Sequence, residues 1–153
     1  MNNRTFEEEI RQNGYLVYTN VGASMMPLLR QNRDLMVIEQ KEGRCARYDA
    51  VLYKRKNGQY ILHRVLKVRE KDYVICGDNC WRREYGITDE QILGVLTAVV
   101  RDGKNMSVTD RKYQRYVHLW CDFYYIRAAI FFVRDVLRRI KGKGIQIWTG
   151  RKF

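Results

Sequence analysis

DAVLYKRKNGQYILHRVLKVRE, residues 49–70, is the stretch on which the fold turns. Two runs rich in Val, Leu, Ile and Tyr flank Asn57-Gly58. That dipeptide between β-rich runs is the strongest short-range signal for a hairpin, because the tight turn needs residues that accept positive φ. In the second run Ile61, His63 and Val65 alternate onto one face of the strand, so His63 keeps apolar company.

Working outward, further short apolar runs bounded by turn residues read as strands: 15–20, 35–40, 72–79 and 90–101. The last of these also fits a helical period through Ile92, Leu93 and Leu96, but Val and Thr dominate its second half and favour a strand. Asp102-Gly103 turns the chain into a final strand over 105–109. Before the strands, Thr5 and Glu8 form a capping-box pattern, Phe6 and Ile10 share a face, and Gly14 closes a short helix. After them, turn residues vanish from Asp110 to Gly142. Leu119, Phe123, Ile126, Ile130, Val133, Leu137 and Ile140 recur there at spacings of three and four. The expected fold is therefore mainly β: a partly closed antiparallel sheet with a short N-terminal helix and one long C-terminal amphipathic helix. The expected divisions are a β domain over 1–109, the basic and aromatic helix over 110–142, and a basic tail over 143–153.

The chain has 153 residues, enough for one domain with a sizeable core, and a formal charge of +12. Eleven Lys and Arg against two Asp lie in residues 111–153. Two uses of the C-terminal helix stay open. It packs on the sheet, or it lies in a membrane interface with its aromatic face in lipid and its cationic rim on anionic headgroups. Nucleic acid is the less favoured partner, because the aromatic residues stand on the apolar face rather than interleaved with Arg along a groove. The N-terminus has neither the basic start nor the apolar run of a signal peptide, and no run of about 18 apolar residues offers a conventional transmembrane helix. The expected location is cytoplasmic or peripheral to a membrane. Cys45, Cys76, Cys80 and Cys121 form no C-x-x-C pair, so reduced thiols and no metal or other cofactor are expected.

One serine stands in the short segment GASMMPLL, residues 22–29, with the only proline of the chain. Serine becomes a nucleophile when a base takes its proton, and His63 is the candidate base. His118 falls on the polar face of the C-terminal helix and reads as a surface residue. Ser24-Met25-Met26-Pro27, then Tyr48 to Tyr53, then the strand carrying His63, then Gly77-Asp78-Asn79 occur in that order. Together they resemble the signal peptidase I and LexA-like serine peptidase superfamily over residues 15 to 100. Tyr48 stands where that family has a glycine. Histidine rather than lysine at the base position resembles the branch that includes endoplasmic-reticulum and archaeal signal peptidases.

The resemblance implies a Ser24 nucleophile, a His63 base and an acid that orients the ring. In that branch the acid is an aspartate shortly after the Gly-Asp-Asn segment. Here the register offers Glu84, and Asp78 is the other candidate. Gly22, Ala23, Met25 and Pro27 are the implied substrate-binding residues: Gly22 and Ala23 would let a peptide approach, and Met25 and Met26 line an apolar wall or fill core. The implied substrate is a peptide or preprotein, held as an added β-strand beside the strand before Ser24 and cut after small residues. Members of the family carry a membrane helix just before the serine segment, and only about 20 polar residues precede it here; the C-terminal helix replaces that anchor, or the protein acts in the cytoplasm. Two other classes remain: a LexA-like domain that cleaves itself or a partner, and a peptide-binding relative without catalysis.

Overall fold

The structure is a computed structural model that describes residues 4–149, with side chains as far as Lys141. The chain opens with α1 (Phe6–Asn13) and runs through β1 (Tyr15–Thr19), β2 (Leu35–Gln40), β3 (Ala50–Lys54), β4 (Tyr60–Val68), β5 (Tyr73–Cys76) and β6 (Glu84–Ile87). A 3₁₀ turn (Asp89–Gln91) leads to β7 (Ile92–Arg101), β8 (Lys104–Ser107), α2 (Arg111–Asp122) and α3 (Tyr124–Thr149). The fold is mainly β, with an antiparallel sheet, a short N-terminal helix and helices at the C-terminal end.

The hairpin of residues 49–70 forms the middle of the sheet. β3 pairs with β4 on one side, Val51 facing His63 and Leu52 facing Leu62, and with β7 on the other. Four of its five residues are buried, as a strand covered on both faces requires. The turn spans Arg55 to Gln59, with Gly58 at φ 86°. Alternation then splits the side chains into two clusters. Ala50, Leu52, Leu62, Leu96 and Val99 join Leu16, Ile38 and the inner face of α2. Val51, Tyr53, Val65, Tyr73 and Ile75 pack on the other face. The predicted caps of α1 are present: Thr5 Oγ1 accepts from the Glu8 N–H, and Gly14 at φ 80° donates to the Ile10 carbonyl. Asp102 and Gly103 both take positive φ between β7 and β8, the geometry of a tight hairpin turn.

Two expectations are corrected. The sheet is open rather than partly closed. Its order is β1-β2-β7-β3-β4-β5-β6, with β8 beside β7. Bulges in β2–β7, β3–β7, β4–β5 and β5–β6 bend it without bringing β1 to pair with β6. The C-terminal helix is two helices that part at Phe123 (φ −95°, ψ 28°). No glycine or proline marks this break. It lets α2 bury Tyr113, Val117 and Cys121 against the sheet while Tyr124 and Arg127 reach over the 77–82 loop. Gly142 does not end the helix, because α3 continues to Thr149, and the remainder of the expected basic tail, 150–153, lies outside the described residues.

Of the two uses left open for the C-terminal helix, the structure shows which residues pack on the domain and which do not. Leu119, Phe123, Ile126, Ile130, Val133, Leu137 and Ile140 point to solvent, each at least half exposed. Arg127 is instead 7% exposed, and Arg134 is turned inward onto Asn79. The helix is packed inside out relative to its apolar stripe because the 78–81 turn presents carbonyls that need donors, and guanidinium and indole groups supply them. No described helix is long and apolar enough to cross a membrane.

Candidate functional site

Ser24 lies in the 20–34 loop between β1 and β2. Apolar anchors hold that loop from below, since Met25, Leu28 and Leu29 are all buried in the core. Polar groups hold it from the sides. Asn20 Nδ2 donates to the carbonyls of Gly22 (2.6 Å) and Leu29 (3.4 Å). The fully buried Asp34 carboxylate accepts from the Arg30 N–H (2.8 Å) and Arg101 Nε (3.0 Å), and Arg101 Nη2 donates to the carbonyls of Leu28 (2.7 Å) and Pro27 (3.1 Å). The Met26–Pro27 peptide is cis. Ser24 is left half-buried at the top of the loop, beside exposed Gly22.

The Gly77-Asp78-Asn79 segment closes onto this loop. The Asn79 N–H donates to the Ser24 carbonyl (2.7 Å), and Asn79 Nδ2 donates to the Ala23 carbonyl (3.1 Å). Gly77 is needed because there is no room for more. A Cβ there would sit 2.7 Å from the Ser24 carbonyl oxygen, 2.9 Å from Cys80 Sγ and 2.9 Å from His63 Nε2. Those contacts also locate the imidazole: its Nε2 and the Ser24 main chain crowd the same point.

The other ring nitrogen meets a carboxylate. His63 is 6% exposed, and its Nδ1 lies 3.2 Å from Glu84 Oε1 and 3.3 Å from the Tyr53 hydroxyl. Nδ1 thus meets Glu84, and Nε2 lies on the side of the ring toward Gly77 and the Ser24 carbonyl. Glu84, the first residue of β6, is gripped by Arg55 through Nε (3.0 Å) and Nη2. Its pKa is lowered to about 2, first by the bond to His63 and next by that to Arg55, against burial, which raises it. A carboxylate with a depressed native pKa stabilises the fold above its unfolded value, 4.5, and loses that contribution as pH falls toward 2. In acid titrations followed by denaturant unfolding, the wild type should therefore lose about 1–2 kcal/mol more over that window than Glu84→Gln, after screening by water at this partly exposed side chain. Parallel curves for the two proteins would refute the linkage.

Of the two acid candidates, Glu84 reaches the imidazole and Asp78 does not. Asp78 is 1% exposed and accepts from Arg64 Nε (2.8 Å) and Nη2 (2.7 Å) and from the Tyr116 hydroxyl (2.8 Å). Its carbonyl accepts from Trp120 Nε1 (2.7 Å) and Arg127 Nη1. A buried carboxylate needs a full complement of donors, and Arg64, itself fully buried, meets that need. Met25 is likewise a core residue at 1% exposure and lines no site wall, whereas Met26 at 38% and Pro27 face outward.

Among the described residues neither the Ser24 nor the Met25 N–H is bonded to a protein acceptor, and Ser24 Oγ bonds to none. A cavity of about 130 Å³ adjoins Ser24, lined in part by Val21, Gly22, Leu52 and Ile61. Among the described residues β1, the strand that leads into the serine loop, pairs with β2 alone and its other edge is unpaired.

Arg55, Tyr53, Asn20 and Arg101 were not legible as site residues. Tyr53 carried a trace, as the end of the Tyr48 to Tyr53 segment, and Arg55 lies just past β3 at the start of the turn. The four cysteines are free thiols, and burial pushes Cys76 up to about 12. His118 is exposed and bonds Asp122 at 3.2 Å, on the helical surface. No family model, no curated protein and no solved structure matches this chain.

Proposed function

We propose that the chain is a serine endopeptidase similar to signal peptidase I, with Ser24 as nucleophile, His63 as general base and Glu84 as the acid that orients the imidazole. The observation that carries this reading is the His63 ring itself: Nδ1 on a carboxylate that Arg55 fixes, Nε2 against the serine segment. On this reading Ser24 Oγ attacks the scissile carbonyl and passes its proton to His63 Nε2. The oxyanion of the tetrahedral adduct meets the unspent N–H groups of Ser24 and Met25. His63 then gives the proton to the leaving amine, and the amine departs from a Ser24 ester. A water, deprotonated by His63, hydrolyses that ester and returns the serine. Glu84 stays ionised throughout and stabilises the imidazolium. The substrate is a peptide or preprotein that adds to the free edge of β1 and places a small side chain in the cavity beside Ser24.

A fluorophosphonate probe tests the nucleophile directly. The wild type should be labelled on Ser24, with labelling lost in Ser24→Ala and sharply slowed in His63→Ala. Equal labelling of the wild type and Ser24→Ala would overturn the assignment. One observation favours a second reading, that the chain binds peptides without cutting them: Ser24 Oγ makes no hydrogen bond to His63 among the described residues. A peptide that binds the wild type and is never cleaved, with no labelling of Ser24, is the outcome that reading requires.

A further inference from the structure

α3 carries a face that the domain does not use. Ile126, Ile130, Val133, Leu137 and Ile140 stand on it, each 53–61% exposed. Tyr125, Phe132 and Val136 extend it on one side, at 76%, 48% and 36% exposed. At about 100° per residue these positions cover an arc of roughly 160°. The helix has 26 residues, about 39 Å of length. Leu119 and Phe123 continue the apolar surface onto α2, at 64% and 54% exposed.

Charge borders the arc. Arg138 and Lys141 follow it on one side and Arg139 on the other, all exposed. The ion pair that α3 does make among the described residues, Arg134 with Asp135, involves none of the three. An exposed apolar arc of this width with a cationic border on both sides fits the boundary between acyl chains and anionic headgroups.

The spacing of four and three also suits a second helix, yet the flanks do not. In a paired helix the positions beside the seam carry the charges that meet the partner. Here one flank is Arg127 and Arg134, already committed to the Asp78 carbonyl and to Asn79 of the same chain. The other flank is Ala129 and Val136, which have no charge to offer. The apolar surface is also wider than a two-helix seam.

We propose that the outer face of α3, with the end of α2, docks on a lipid bilayer that carries anionic headgroups. The helix lies in the interface plane, its apolar arc in the acyl boundary and Arg138, Arg139 and Lys141 at headgroup level. Because Arg134 is bonded to Asn79, and Asn79 to the Ser24 loop, docking holds that loop near the membrane surface. The inference stands whether or not Ser24 is a nucleophile.

Co-sedimentation of the full chain with vesicles tests it. Vesicles of phosphatidylcholine with a quarter phosphatidylglycerol should bind on the order of tenfold or more tightly than phosphatidylcholine alone, and high salt should weaken the binding. The double variant Ile130→Glu/Leu137→Glu should lose binding by about tenfold or more, since it places charge in the acyl boundary. Its circular dichroism and thermal unfolding should match the wild type, because both side chains are already exposed. Arg138→Glu/Arg139→Glu should bind anionic vesicles roughly tenfold less well. Equal binding to both vesicle types, or unchanged binding by the double variant, overturns the proposal. So does a wild-type dimer in sedimentation velocity that the same substitutions dissociate while vesicles capture neither protein.

Discussion

Ser24→Ala is expected to lower kcat/KM toward a peptide with small residues before the cut by on the order of 10⁴-fold or more, while affinity for the uncleaved peptide persists. The nucleophile supplies the covalent route, and nothing near it replaces it. On the proposed reading, binding rests on the unpaired edge of β1 and on the cavity beside Ser24, which the substitution leaves in place. His63→Ala should fall by a comparable factor, and the double variant should be no worse than either single one, because the pair acts as a unit. Glu84→Gln should cost roughly 10²- to 10⁴-fold, since an amide facing Nδ1 removes the charge that stabilises the imidazolium. Steady-state cleavage of a quenched fluorescent peptide reads all four proteins. Additive losses in the double variant would mean that Ser24 and His63 do not work together, and the proposed mechanism would fall.

The second large effect is on stability. Arg64 and Asp78 are 0% and 1% exposed and joined by two hydrogen bonds at 2.8 and 2.7 Å. Arg64→Ala leaves the Asp78 carboxylate buried with one hydroxyl donor, that of Tyr116. Removing one partner of a buried pair costs about 3–5 kcal/mol, against a total for a domain of about 5–15 kcal/mol. Urea unfolding should show that loss, with a fall in Tm of roughly 10 °C or more. Arg64→Lys should recover only part of it, because an ammonium cannot reproduce the two-pronged contact. A loss below about 1 kcal/mol in the alanine variant would show that water or a shifted side chain satisfies Asp78. The same variant should reduce activity, because Asp78 and Asn79 carry the Ser24 loop on their shared backbone.

This division of labour between two carboxylates six residues apart was beyond reach in the linear chain. Both Asp78 and Glu84 follow the strand that ends at Cys76, and both are compatible with an imidazole partner. The choice depended on β6, a four-residue strand with two exposed members and too little apolar pattern to announce itself. It depended also on Arg64, whose neighbour His63 drew the eye. Strand alternation sends Arg64 to one face, where Asp78 waits, and His63 to the other, where Tyr53 and Glu84 lie. The C-terminal helices left the complementary question open. Their period was legible, but a period states which residues share a face, not which face turns inward.

What the residues settle unaided is local. The Asn57-Gly58 hairpin, the capped first helix, and the β7 strand with its Asp102-Gly103 turn all follow from short-range rules. In those rules the cost of a conformation is set by the residue and its immediate neighbours. Tertiary structure alone decided the open edges of the sheet, the break at Phe123, the inward turn of Arg127 and Arg134, the burial of Met25, and Glu84 rather than Asp78 on the histidine. The physical reason is the same for each. Buried donors and acceptors must be matched in space and apolar side chains covered, and the hydrogen-bonding partners stand as many as 74 residues apart in the chain.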